Sequence, residues 1–219
     1  MAFFKFLSDK FNLALLGFIS LFIFIPFLES QAISFPPLPF IFLFIFILLF
    51  RMLSLPLRPF LELLLLAILA FCLDLLLIFV LNNFLEGVLT VVIHGMYAFC
   101  FIACLWILVK RFHSSDMKPH DLVKMGFCGY FSIGFLWMVF YSLAFAFNPR
   151  AFSGLFLENV RFFYFSFSSL ALLIPSSQLI SMSFWVKYLV LLEALAGQVF
   201  LVIFIVRAVV LYRSYETER

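Results

Sequence analysis

The sequence predicts an all-α polytopic membrane protein with six transmembrane helices and one shorter re-entrant helix. Three observations predict it. Of the 219 residues 67% are hydrophobic and 11% charged, and the mean hydropathy is +1.24; a soluble domain is nearer half apolar and a quarter charged. Apolar stretches recur along the chain at lengths near the ~20 residues that a bilayer-crossing helix needs. A further apolar stretch, Arg161 to Ile174, is too short to cross and return yet too apolar for an aqueous loop. Such a segment enters the membrane and leaves on the side it came from.

The expected spans follow in order. Phe11 to Leu28 comes after Lys5 and Lys10, the pattern of a secretory signal, but Glu29-Ser30-Gln31 offers no small-x-small cleavage site, so a retained span is predicted. Leu38 to Leu53, the shortest, is introduced by Pro36, Pro37 and Pro39, and Leu61 to Leu81 by Pro56 and Pro59. Val88 to Val109 comes next, then Phe127 to Phe147, closed by Pro149, and finally Phe184 to Tyr212. This divides the chain into a four-helix membrane region (1–109), a polar cytoplasmic linker (110–126) and a region of outer helix, re-entrant helix and inner helix (127–219).

Charge gives an independent orientation. With the N-terminus inside, eleven basic residues face the cytoplasm, while Arg150, Arg161 and Lys187 are the three outside, accounting for all 14 Lys and Arg. That split follows the positive-inside tendency and puts both termini in the cytoplasm.

Several function classes are disfavoured. A net charge of +3 does not suggest nucleic acid. Cys72, Cys100, Cys104 and Cys128 lie in apolar stretches without metal-ligand spacing and read as small buried hydrophobes. No phosphate loop, H-E-x-x-H or nucleophile elbow is present, so neither an enzyme nor a cofactor or metal site is expected. The fourth span lacks the arginine repeat of a voltage sensor, and no internal repeat suggests a transporter of inverted halves. His113 and His120 fall in the linker and read as solvated; the 36 phenylalanines read as compositional bias rather than function.

The last third of the chain carries the most specific signal. Tyr164 to Phe167 read YFSF, Leu192 to Gln198 read LEALAGQ, and Arg207 follows nine residues beyond Gln198. Upstream stand the linker KRFHSSDMKPHDLVK, the span GYFSIGFLWMVFYSL and the turn NPRAF. This order resembles the pore region of bacterial potassium channels of the two-transmembrane type over residues 105 to 215, and only generally over the first four spans. The resemblance implies a pore helix, an inner helix, a homotetramer or a hetero-assembly with a related channel subunit, monovalent cations as the permeant species, and the bacterial inner membrane.

The family's filter is missing. A potassium filter aims successive backbone carbonyls at one axis, which requires left-handed backbone angles that Gly adopts cheaply. No Gly occurs between Leu155 and Ala196. Where the filter belongs stand Leu172, Leu173, Ile174, Pro175, Ser176 and Ser177. Either serine hydroxyls (Ser168, Ser169, Ser176, Ser177) line a constriction with altered or lost selectivity, or the pore is sealed.

Candidate residues on the inner helix are Glu193, Gly197, Gln198, Leu201, Phe204 and Arg207. Glu193 is either a carboxylate that attracts cations or, the favoured reading, a structural partner for pore-helix hydroxyls. Gly197 is a hinge or, preferably, a point of close packing. Leu201 and Phe204 are candidates to face the axis of a tetramer. Asp74 and His94, ten residues either side of Phe84, are expected to pair across a hairpin, as a structural hydrogen bond or a proton or ion relay. Two functions remain open: an ion channel without potassium selectivity, and a non-conducting pore-loop paralogue with a structural or regulatory role. A small secondary transporter is a weaker third.

Overall fold

The computed structural model describes residues 9–30, 38–77, 83–112, 118–152, 161–174 and 182–217, and within them it is all-α. Among the described residues seven helices follow in order: α1 Lys10–Ser30, α2 Leu38–Leu53, α3 Leu57–Leu77, α4 Asn83–Phe112, α5 Pro119–Phe147, α6 Arg161–Leu170 and α7 Phe184–Thr217. A 3-10 turn, Pro149–Phe152, follows α5.

Length and composition fit four helices to a membrane crossing: α3, α5 and most of α4 and α7. The expectation of six is not met on this measure. At 1.5 Å per residue the 16 residues of α2 span only ~24 Å, short of a hydrocarbon core of ~30 Å; in α1 only the side chains of Lys10–Ile25 are described. The chain is a helical membrane protein at that coarser level.

Local chemistry sets the helix ends. Asp9 precedes α1; its carboxyl accepts the Phe11 N–H at 3.1 Å while its carbonyl takes the first helical bond from Leu13, the geometry of an N-cap. Lys124 reaches the same carboxyl at 3.2 Å from α5. Burial alone would raise the proton affinity of Asp9, but the Phe11 N–H and the Lys124 ammonium outweigh it and hold the carboxyl below its ordinary pKa. Helix α5 starts with Pro119 in its first turn, where the missing N–H costs nothing, and ends at Asn148, ahead of Pro149.

Helix α4 runs on through Lys110 and Arg111, and α5 begins at Pro119, so most of the expected 110–126 linker is helical. Polar residues there belong to helix ends that project past the apolar zone. His113 falls outside the described residues.

Helix α5 is the centre of the molecule, packed on α1, α4, α6 and α7. Its Phe135 shows how. The ring lies 6.1 Å from Phe18 of α1, 6.5 Å from Phe42 of α2, 6.3 Å from Phe101 of α4, and 5.7 and 5.5 Å from Phe163 and Phe167 of α6. One aromatic core therefore joins the expected N-terminal and C-terminal regions, and no packing boundary separates them. The phenylalanine excess is structural here, since such ring pairs contribute beyond their buried area.

One end of the bundle collects basic side chains. Lys10 donates to Ser54 Oγ, Arg111 to the Met52 and Leu53 carbonyls at the end of α2, and Arg207 Nε to the Phe112 carbonyl at the end of α4, at 2.8 Å. Cations on terminal carbonyls satisfy acceptors that a helix leaves open and oppose its dipole.

Candidate functional site

Helix α6 enters from the opposite end. Phe162 packs against Phe145 and Phe152 at the close of α5, with ring centroids 5.7 and 5.5 Å apart. Eight residues on, the Leu170 carbonyl accepts the Tyr130 hydroxyl at 3.2 Å, near the middle of α5. The helix stops there: its 10 residues cover only ~15 Å. By Ser183 the chain is back beside the 3-10 turn, its N–H donating to the Ala151 carbonyl at 2.9 Å.

The termination of α6 is specific. Leu172 N–H bonds to the Ser169 carbonyl at 2.9 Å, Leu173 N–H to the Ser168 carbonyl at 2.7 Å, and Leu172 has φ 59°. That is a Schellman cap with leucine at the position where glycine is usual. Leucine takes a left-handed angle at this one residue, at the steric cost that its Cβ imposes. The strain ends a helix; it does not build a stack of carbonyl rings. Leu172 and Leu173 are exposed and Ile174 half-buried, while Pro175, Ser176 and Ser177 lie outside the described residues.

Behind α6 sits a polar cluster buried from all sides. Glu193 of α7 has no exposed surface, and neither has Ser166. Tyr141 donates to Glu193 Oε2 at 2.6 Å and Ser166 to Oε1 at 2.5 Å; Ser166 Oγ also lies 2.8 Å from the Gly134 carbonyl. Ser169, 2% exposed, donates to the Val190 carbonyl at 3.3 Å. The carboxyl group thus ties α5, α6 and α7 together, in the geometry of a structural partner for the α6 hydroxyls. The Ser169 hydroxyl is turned toward α7 by its bond to the Val190 carbonyl. Ser168 is half-buried and contributes its carbonyl to the cap.

Sequence reasoning missed Tyr141 and Tyr130. Both lie on α5, three turns apart, and a tyrosine in an apolar span needs a partner for its hydroxyl. The signal was present but no partner could be assigned without the helix register.

Gly197 packs closely under α6: a Cβ there would lie 2.5 Å from Leu170 Cδ1. Lower on α7, Phe200 fits against Gly129 and Phe204 against Gly126, and both rings contact Phe112 of α4. Phe204 therefore faces its own chain rather than an axis, and Leu201 is half-buried. The uncovered face holds Gln198, Val199, Val202, Ile203, Val206 and Val209. Of the two candidates Phe204 is the one packed against α5; an even run of apolar residues gives no face to read from sequence. Arg207 is the cap on α4 described above.

Asp74 and His94 do not bond to each other. Asp74 accepts from Tyr97 at 3.2 Å, and His94 Nδ1 meets the Thr90 carbonyl of its own helix at 2.9 Å. Tyr97, one turn further on, reaches where the histidine does not. Of the cysteines, Cys100, Cys104 and Cys128 are buried and Cys72 is exposed. Among the described residues no cluster of His, Cys, Asp and Glu could hold a metal ion.

A cavity of about 320 Å³ opens between the end of α6 and α7, lined by Ser169, Leu172, Ile174, Lys187, Val190, Leu191 and Ala194. No family model, curated protein or solved structure matches this chain.

Proposed function

We propose that the chain is a channel-like membrane subunit, with α5, α6 and α7 as outer helix, re-entrant pore helix and inner helix, and without potassium selectivity. The observation that carries this reading is the half-depth course of α6 with its return to Ala151. The last four carbonyls of α6 are met by the Ala171, Leu172 and Leu173 N–H groups and the Tyr130 hydroxyl, which lets a helix end inside the apolar zone where lipid offers no donors. The six apolar stretches as six spans, both termini in the cytoplasm of a bacterium, and four chains about one axis belong to the same proposal. In such an assembly the α6 C-terminus turns its dipole toward the axis and favours monovalent cations weakly.

One observation favours the second reading, a non-conducting subunit that assembles with or regulates another membrane protein. Ser166 and Ser169 both turn inward, Ser166 onto Glu193, which leaves the described part of α6 short of hydroxyls for an ion path.

Bilayer recording of the purified full-length protein under a K⁺/Na⁺ bi-ionic gradient tests both. A cation current reversing near zero supports the first reading and absence of current the second. A reversal at the K⁺ equilibrium potential overturns the claim of lost selectivity.

A further inference from the structure

Helices α3 and α4 carry polar side chains that the pore region does not use. Glu86, Thr90, His94 and Tyr97 follow one another at four, four and three residues, which keeps them on one side of α4, about 80° wide. From Glu86, in the first turn, to Tyr97 is ~17 Å, about half the thickness of a hydrocarbon core. Exposure falls along the row: Glu86 is exposed, Thr90 and His94 are half-buried and Tyr97 is fully buried. The row ends on Asp74 of α3, which accepts the Tyr97 hydroxyl at 3.2 Å. Among the described residues no Lys or Arg stands near that carboxyl. The titratable groups around it are Tyr97 and the thiols of Cys72 and Cys100, with His94 one turn nearer the Glu86 end. Helix α2, also packed on α3, has none before Arg51 at its far end. A carboxylate without a cation at that depth is costly, and intramembrane carboxyls serve proton relays and ion paths. His94 is set to receive a proton. Its Nδ1 faces the Thr90 carbonyl at 2.9 Å; a carbonyl only accepts, so Nδ1 carries the hydrogen and Nε2 of the neutral ring is an acceptor.

We propose that Asp74 is a proton-binding site in exchange with the solution at the Glu86 end of the bundle, opposite the basic end, with His94 as the carrier between them. In the outward step the Asp74 O–H bond breaks and an N–H bond forms at His94 Nε2. This leaves a carboxylate held by the Tyr97 hydroxyl, which keeps its own hydrogen, and an imidazolium that gives the proton to water beside Glu86. Asp74 and His94 are not in hydrogen-bond contact, so the transfer runs through water. The Thr90 hydroxyl, on the Glu86 carbonyl at 2.8 Å, retains a lone pair that water can donate to. A basic helix of another protein could also meet Asp74, but that contact needs no polar row leading to the surface. The site lies outside the pore region and is independent of conduction.

Labelling with pH varied on one side at a time tests it. Dicyclohexylcarbodiimide attacks protonated carboxyls from the lipid phase, and its adduct on Asp74 is read by mass spectrometry of the full-length protein in sealed vesicles of one orientation. As pH at the Glu86 side is raised from about 4 to about 9, the adduct is expected to fall, by about tenfold per pH unit once the carboxyl is mostly ionised. It should ignore the pH at the basic side. Asp74→Asn, which keeps an oxygen for Tyr97, should lose the adduct. His94→Gln, which cannot carry the proton, should slow the response of the Asp74 infrared carboxyl band to a pH jump by about a hundredfold and leave its end point in place. Melts in detergent check that both variants fold, and the wild-type arm stands whatever they do. An adduct that changes with pH on neither side overturns the proposal, as does one that follows the basic side. So does a wild-type rate in folded His94→Gln. No adduct at any pH, or an adduct blocked by a co-purified membrane protein, would mean that Asp74 is ionised against a cation of a partner helix, and the proposal fails.

Discussion

Glu193 shows what a single residue does in this fold. Removing its carboxyl leaves the buried Tyr141 hydroxyl without its partner, at ~1–3 kcal/mol, while Ser166 keeps the Gly134 carbonyl. Glu193→Ala should therefore destabilise the protein by about 1–3 kcal/mol in a detergent unfolding titration. Glu193→Gln should be far milder. Its amide oxygen still accepts from Tyr141, and its NH2 finds Ser166 Oγ, which already has the Gly134 carbonyl in range. Tyr141→Phe combined with Glu193→Ala should cost less than the two singly, because the pair shares one bond. Leu172 offers the opposite case. A leucine at φ 59° carries ~1 kcal/mol or more of strain that glycine does not. Leu172→Gly should raise stability by about that amount, and a loss would mean that the α6 cap is not formed.

Among the elements, α1 and α5 are joined by a charge pair whose effect depends on pH. The Asp9 carboxyl is held below its ordinary pKa in the folded protein. Its contribution is thus complete above about pH 4, the unfolded value, and is lost as pH falls through the lower folded value. Melts between pH 6 and pH 2 should show this loss in the wild type and a shallower one in Asp9→Asn. The cap bond itself is worth about 1 kcal/mol at neutral pH, measurable as Asp9→Ala. The sequence made the helices legible through their apolar lengths and prolines. It made Glu193 legible as a partner of α6 hydroxyls, because a carboxyl in an apolar helix has to find donors. It did not reveal which face of α7 is covered. Leu201 to Val206 are apolar all round, and only the glycine recesses of α5, at Gly126 and Gly129, select the Phe200 and Phe204 side. The Asp74 partner failed for a similar reason: equal depth in a hairpin does not fix rotation, and Tyr97 faces the carboxyl instead.

At the scale of the molecule, the exposed faces of α3 and α7 meet lipid or other chains. If chains surround an axis along α7, the residues available to it are Val199, Val202 and Val206, not Phe204. A ring of valines that narrow dewets readily. Val202→Ser or Val206→Ser should then raise leak in reconstituted vesicles, and Phe204→Ser should mainly lower stability. Flux that rises only with Phe204→Ser would place the axis elsewhere. The basic end of the bundle, marked by Lys10, Arg111 and Arg207, should lie in the cytoplasm. Cysteines introduced at Asn148 to Ser153 should accordingly react with an external membrane-impermeant label, and those at Ser114 to Asp121 should not. Labelling of both from one side would contradict that orientation.

The short helix α6 also has a consequence in time. During synthesis it leaves the ribosome before α7, so Ser166 is made before the carboxyl that receives it. With 10 residues, three of them serine, it is a poor candidate for insertion alone. On that argument it should stay out of the apolar zone until α7 crosses and delivers Glu193. A chain ended at Ser183 should therefore leave the segment near Tyr164 open to protease in membrane vesicles, and the whole chain should protect it.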